Sequence, residues 1–179
     1  MLAAGIALLS LMAAATLQAK LYQGHAKHLL QSEIQRARES KISRSSARVK
    51  EGDVFGRLDI PRIGVSVAVI EGTGSRTLRL GAGHIESTSL PWEAGNSGIA
   101  GHRDTFFRAL RDIRRNDEIQ LQTATGLFHY QVDWMKVVTP DDVSVLAPST
   151  EAALTLVTCY PFQFLGAAPK RFIVRAHKY

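Results

Sequence analysis

The chain has 179 residues, 45% of them hydrophobic, a single cysteine, and 22 lysines and arginines against 16 acids, a formal net charge of +6. That length and apolar content suit one ordinary domain with a proper core and exclude a disordered chain. One cysteine excludes an intramolecular disulfide framework and any multi-cysteine zinc or iron–sulfur site.

The positive charge is unevenly placed. Residues 20–51 hold Lys20, Lys27, Arg36, Arg38, Lys41, Arg44, Arg48 and Lys50 against three glutamates, a balance of +5; residues 52–179 hold only +1. The part expected to fold is therefore nearly neutral, which argues against nucleic acid as a partner. Ahead of the basic stretch, Leu2–Ala19 carries no charged side chain. Eighteen residues of helix span roughly 27 Å, close to the thickness of a bilayer's hydrocarbon core. A transmembrane signal anchor is expected over residues 1–19. A cleaved signal peptide is the alternative, because Ala13-Ala14-Ala15 offers a small-residue cleavage site. A literal positive-inside count places whatever follows in the cytoplasm, since basic residues come only after the apolar run. Residues 20–51 read as a helical juxtamembrane stalk with a thin apolar stripe, ending in the flexible linker KISRSSARVKEG. Its charge suits anionic lipid headgroups.

From Gly56 the texture changes to short apolar or alternating runs separated by turn residues. GRLDIPRIG and VSVAVIEG read as strands, with Val65, Val67 and Val69 in alternation. GIAGH is a short buried run, and FFRALRDI after Asp104-Thr105 reads as a capped two-turn helix. EIQLQ, TATG and LFHYQVDWMKVV form a hairpin with a long second strand. TPDDVSVLAP opens as a capped turn, with Thr139 as the cap and Pro140 at the first helical position. LTLVT and RFIVRAH are the last strands. Seven or eight short strands with one or two small helices predict a mainly β fold, a closed or nearly closed barrel.

Cys159 stands where LTLVT runs out into the loop YPFQFLGAAPK, a position suited to facing a cleft. It reads equally well as a candidate nucleophile or as a small buried core residue. An unperturbed thiol is mostly protonated at neutral pH, so nucleophilic chemistry needs a nearby base or cation. NSGIAGHR offers His102, and Arg171 opens the last strand; taken singly, each reads better as a structural residue.

GNSGIAGHRDTFF, LTLVTCYPF and APKRFIVRA, in that order and spacing, resemble the sortase family, and GHRDTFF with TCYPF is most similar to its class D group. The resemblance runs from about Gly52 to the C-terminus and takes in GRLDIPRIGV, VIEGT and GAGHIESTSLP. It implies an eight-stranded barrel over residues 52–179, carried by a bacterial membrane with the catalytic domain extracytoplasmic. It also implies a cysteine transpeptidase acting on exported proteins that bear an LPxTG-like sorting signal. The matched motifs make Cys159 the nucleophile, His102 the proton-transfer group and Arg171 the oxyanion or backbone donor. Arg175 shares a strand face with Arg171 and is its rival. Thr158 would orient substrate or the neighbourhood of the thiol. His84, in GAGH, falls outside the catalytic motif and is expected to be structural or at the cleft rim. The acceptor would be an amine, from a cell-wall precursor or a pilin lysine, and segment 139–152 would form a substrate-contacting wall.

No cofactor or metal is expected. Asp141 and Asp142 fit a helix start better than calcium, and His84, His102 and Cys159 lack dense ligand spacing. A papain-type peptidase is disfavoured because His102 precedes Cys159, and an L,D-transpeptidase because its cysteine neighbourhood is missing. The remaining alternative is a membrane-tethered β-barrel binding module with a structural cysteine.

Overall fold

A computed structural model describes residues 17–33, 49–163 and 166–179. Eight strands form a closed barrel: β1 (Val54–Ile60), β2 (Val65–Glu71), β3 (Ala82–His84), β4 (Asn96–Gly101), β5 (Glu118–Thr123), β6 (Gly126–Val138), β7 (Ala153–Tyr160) and β8 (Lys170–Lys178). Around the barrel they run β1-β2-β3-β4-β7-β8-β6-β5, and β1 pairs with β5 to close it. The mainly β barrel expected from strand count is thereby found, with every strand paired on both sides over part of its length.

Alternation builds the core. Ile119 and Leu121 of β5, Val65, Val67 and Val69 of β2, and Leu154 and Leu156 of β7 all point inward, in strands that change face at every residue. Each fully buried branched side chain contributes about 1.5–3 kcal/mol by leaving water. The β5–β6 hairpin falls where TATG predicts it, with Thr123 opposite Gly126. Ala68 and Ile70 break the alternation, for they are buried on the outer side of β2.

Part of that outer burial comes from helix α1 (residues 17–33), which lies against β1 and β2. Ala26 and Leu30, four residues apart on one helix face, are buried. The Gln23 side chain accepts a hydrogen bond from the Ala68 amide at 2.7 Å and donates to the Leu80 carbonyl. The apolar stripe read in the stalk thus includes a barrel contact at Leu30. Residues 1–16, which hold most of the expected anchor, and residues 34–48 of the linker lie outside the described residues. Among the described residues no helix is long and apolar enough to cross a membrane.

Several small elements differ from expectation. FFRALRDI forms turns and a single 3-10 segment, Arg108–Asp112, rather than a two-turn helix, and its first residues carry no side-chain cap. Phe107 and Leu110 are fully buried there, so packing against the core sets the path of the chain. TPDDVSVLAP likewise holds a 3-10 turn at Val143–Leu146 that starts after Asp142, not at Thr139. A short helix α2 (Ser75–Leu80) leads into β3, which pairs in parallel with β2. Neither element is signalled by periodicity, because each is under seven residues long.

The turn after β1 is tied to the start of β5 by an ion pair. Arg62 donates through Nε and Nη2 to the Asp117 carboxylate, the Nη2 contact being 2.6 Å, and the Arg114 amide donates to the same carboxylate at 2.7 Å. The hydrogen bond from Arg62, with the Arg114 amide assisting, holds the Asp117 carboxyl below its usual range. A depressed folded-state pKa contributes stability that is present above the unfolded value of 3.8 and is lost as pH falls through the folded one. Asp117→Asn should therefore lower stability at pH 7 and flatten its acid-side loss. Urea midpoints at pH 7 and pH 3 check this: the wild type should lose more between them than the variant.

Candidate active site

Three strands converge on Cys159. β4 runs parallel to β7 with Ile99 opposite Leu156 and Gly101 opposite Thr158, and β8 runs antiparallel to β7 with Cys159 opposite Arg171. His102 is the next residue after Gly101, so the same register sets it beside Cys159. Cys159 and Arg171 thus share a rung of the β7–β8 ladder, and His102 follows the last β4–β7 pair directly, at the strand end next to that rung. Leu154, Leu156 and Val174 face the core, so by alternation Cys159 and Arg171 face outward. All three residues are half-buried, and the Cys159 thiol is free. Arg171 donates through Nη1 to the carbonyls of Ala168 and Lys170, at 3.2 and 3.0 Å. A guanidinium has five donors and no acceptor, so donors remain for an oxygen placed over the thiol.

Local packing places the histidine. A Cβ on Gly101 would come within 2.7 Å of the Phe107 ring, which is fully buried. Only a glycine lets that ring fit beneath the strand end. The chain then turns, and the His102 carbonyl accepts the Phe107 amide at 3.0 Å. Thr158, on the inner face and buried, donates from Oγ1 to the Gly101 carbonyl at 2.7 Å and so fastens β7 to β4 one residue before the Cys159 rung.

Arg103 was not singled out from sequence. Its guanidinium donates to Pro161 O and Gly166 O, both at 3.0 Å, and so grips the segment that follows Cys159. The signal was present, because Arg103 sits directly after His102 in GHRD. Tyr160, Phe162 and Phe172 form an aromatic cluster, Tyr160 stacked on Phe172 and Phe162 edge-on to both, with Phe162 and Phe172 centroids 5.3 Å apart.

Below the Cys159 rung the outer face continues through Ala100, Val157 and Ile173, then Gly98, Thr155 and Arg175. Ile173 is buried, and a Cβ on Gly98 would meet Leu146, Thr88 and Ile85 side chains at 3.0–3.2 Å. Segment 143–147 therefore roofs the far end of the face, while the Cys159 end stays more open. Four residues of strand separate Gly98 from His102, about 13 Å. Arg175 shares the face of Arg171, as expected, but lies opposite Thr155, with its Nη1 3.0 Å from Thr155 Oγ1. The register sets Arg171, not Arg175, beside the thiol.

His84 faces the opposite way. It sits on β3 next to Ile99, buried, with Nδ1 2.9 Å from Glu71 and Nε2 3.1 Å from the Ser89 carbonyl. Its ring also meets Phe55 edge-on. It braces the loop between β3 and β4 and does not join Cys159. At the start of the 139–152 segment, Asp142 accepts from Ser144 Oγ, a local turn contact.

A family model described as Sortase domain matches residues 58–179. The chain is 36% identical to Sortase D of Bacillus subtilis over 133 residues, which cover 74% of this chain and 67% of that one. Among solved structures, the Clostridium perfringens Sortase D5 transpeptidase superposes with a TM-score of 0.75 at 28% identity, covering 88% of this chain and 98% of that one. A Clostridium perfringens sortase C, solved with a C-terminal cell wall sorting motif, superposes with a TM-score of 0.68 at 27% identity, covering 84% and 87%.

The fit of Phe107 under the strand end is open to a direct check. Gly101→Ala should cost about 1–3 kcal/mol, the usual range for overpacking a filled core. Thermal unfolding would show it as a lowered midpoint, and an unchanged midpoint would mean that the ring shifts freely.

Proposed function

The chain belongs to the sortase family of cysteine transpeptidases, and from that premise we propose that Cys159, His102 and Arg171 carry the reaction on an LPxTG-like sorting signal of an exported protein. The single observation that supports this is their convergence at neighbouring strand ends: Cys159 pairs with Arg171 across β7 and β8, and His102 directly follows the Gly101–Thr158 pair of β4 and β7.

The chemistry follows from what each side chain offers. The Cys159 thiolate attacks the carbonyl carbon of the Thr–Gly-type bond; a carbon–sulfur bond forms and the carbonyl electrons move to oxygen. That oxyanion develops over the outer face, where Arg171 stands opposite the thiol. A guanidinium suits the task because it holds its proton at any working pH. The carbon–nitrogen bond then breaks, and His102 delivers a proton to the leaving amine. An incoming amine attacks the thioester, His102 takes its proton, a new amide forms, and Cys159 leaves as the thiolate. A cell-wall precursor or a pilin lysine supplies that amine. Thr158 acts behind Cys159, holding the β4 and β7 strand ends in register.

The more open Cys159 end of the outer face would take the residues next to the scissile bond, and the covered Gly98 end, under Leu146, Thr88 and Ile85, would bound the peptide on its other side. The uncharged run Leu2–Ala19 supports a membrane-tethered protein; an extracytoplasmic place for residues 52–179 follows from a substrate that is itself exported, against the literal positive-inside count of the basic residues in 20–51.

Full-length protein in detergent, incubated with LPxTG-like peptides and an amine acceptor, tests this reading. The wild type should form a thioacyl adduct and a transpeptidation product, and Cys159→Ala neither. Arg171→Ala should lose about 10²–10³-fold in turnover, the usual cost of one oxyanion donor. His102→Ala should slow both acylation and transfer. No adduct with any sorting-type peptide would reject the reading and favour a binding module.

A further inference from the structure

We propose that Asn96, Thr155 and Arg175 form a positioning network that holds segment 143–147 over the far end of the groove, so that the wall contacting the sorting signal is in place before substrate arrives. The inference rests on the sorting-signal reading and deepens it.

The three residues lie on one rung of the outer face or next to it. Thr155 is opposite Arg175 on β8 and Gly98 on β4, and Asn96 lies two residues before Gly98. Asn96 and Thr155 are buried, at 1% and 0% exposure, and Arg175 is half-buried. Their hydrogen bonds run in one direction. Arg175 can only donate, and its Nη1 donates to Thr155 Oγ1 at 3.0 Å. Thr155 has one proton to give; Asn96 Oδ1 at 2.8 Å is its nearer acceptor, with the Val145 carbonyl farther off at 3.5 Å. That fixes the orientation of the Asn96 amide, whose Nδ2 donates both hydrogens to the carbonyls of Val145 and Ala147, each at 3.3 Å. The chain begins at a group with no acceptor and ends at backbone oxygens with no donor. Every buried polar atom in it is satisfied, the condition under which such a network specifies one arrangement.

What it holds is the roof of the groove. The Val143–Leu146 turn has no buried residue, so apolar burial does little to anchor it. The carbonyls on the Asn96 amide bracket Leu146, whose side chain covers Gly98. The network also explains why Arg175 and Arg171, four residues apart on one face, have different tasks. Arg175 acts through Thr155 and Asn96 and is not a catalytic residue. Asp133 is the charged group that acts on it from β6; His177 of β8 pairs with Asp133 at 2.6 Å.

Thr155→Val keeps the shape of the side chain and removes both the acceptor and the donor; Thr155→Ser keeps the hydroxyl. On the full chain, hydrogen–deuterium exchange over 143–147 reads the wall directly, and steady-state kinetics with an LPxTG-like peptide read its use. Thr155→Val, which breaks the bonds to both Arg175 and Asn96, should speed exchange there and raise KM about tenfold or more, with a smaller fall in kcat. Thr155→Ser should restore both. Unchanged exchange in the valine variant, or serine behaving no better than valine, would overturn the network. If valine prevents folding, Asn96→Ala gives the same two readings, since it removes both Nδ2 donors without burying a charge in their place. A wild type that turns over no sorting peptide would reject the substrate reading, while the exchange result would still decide whether the network holds the turn.

Discussion

The parallel pairing of β4 with β7 is the constraint on which the site depends. These strands are more than fifty residues apart in sequence, and β7 pairs both with β4, which ends just before His102, and with β8, which carries Arg171. Side chains alternate with a period of two, so a slip of one residue would turn His102 or Cys159 to the wrong face of the sheet. The bond from Thr158 Oγ1 to the Gly101 carbonyl lies one residue from the reacting rung and ties the two strand ends at the point where a slip would matter most. The antiparallel β7–β8 ladder, continuous from Ala153↔His177 to Tyr160↔Lys170, fixes the third member.

That pairing requires a thin strand. β4 reads NSGIAG, and its small residues are small for two different reasons. On the inner side Gly101 makes way for the Phe107 ring; on the outer side Gly98 makes way for Leu146, Thr88 and Ile85. The strand is a partition between the core and the groove, packed closely on both sides. Only Ile99 carries a large side chain, and it is fully buried among the inward residues. A bulkier β4 would stand off either the core or the roof, and the distance between His102 and Cys159 would follow.

Much of the barrel was legible because alternation is a local signal. The valines of β2, the EIQLQ strand and the TATG hairpin each announce themselves within a few residues. The elements that escaped are those whose cause is distant. β3 is three residues long and exists because β2 and β4 both pair with it. Ala68 and Ile70 look outward-facing by alternation and are buried from outside the barrel. FFRALRDI has helical spacing but folds as turns because Phe107 and Leu110 must reach the core. For the site, motif resemblance brought His102, Cys159 and Arg171 together, whereas position along the chain left each of them ambiguous. Arg103 and Asn96 were in plain view in NSGIAGHR, yet their partners are backbone carbonyls of remote loops, which carry no sequence signature.

The two arginines of β8 show why register decides what periodicity cannot. Period two places Arg171 and Arg175 on one face and makes them look interchangeable. Their surroundings differ. Arg171 stands opposite Cys159 at the more open end, and it donates to the carbonyls of Ala168 and Lys170, contacts that a substrate oxygen can compete for. Arg175 is buried enough that desolvation lowers its pKa, an effect that the Asp133 charge opposes, and it remains a cation because a guanidinium starts so far above neutrality. A cation half-sunk in a sheet must have its donors used, and Thr155 uses one of them. The same residue type, four positions apart, is therefore the proposed donor to chemistry at one rung and the proposed brace two rungs below. The balance of +1 in residues 52–179 hides this division, because what separates the two charges is depth and partner rather than number.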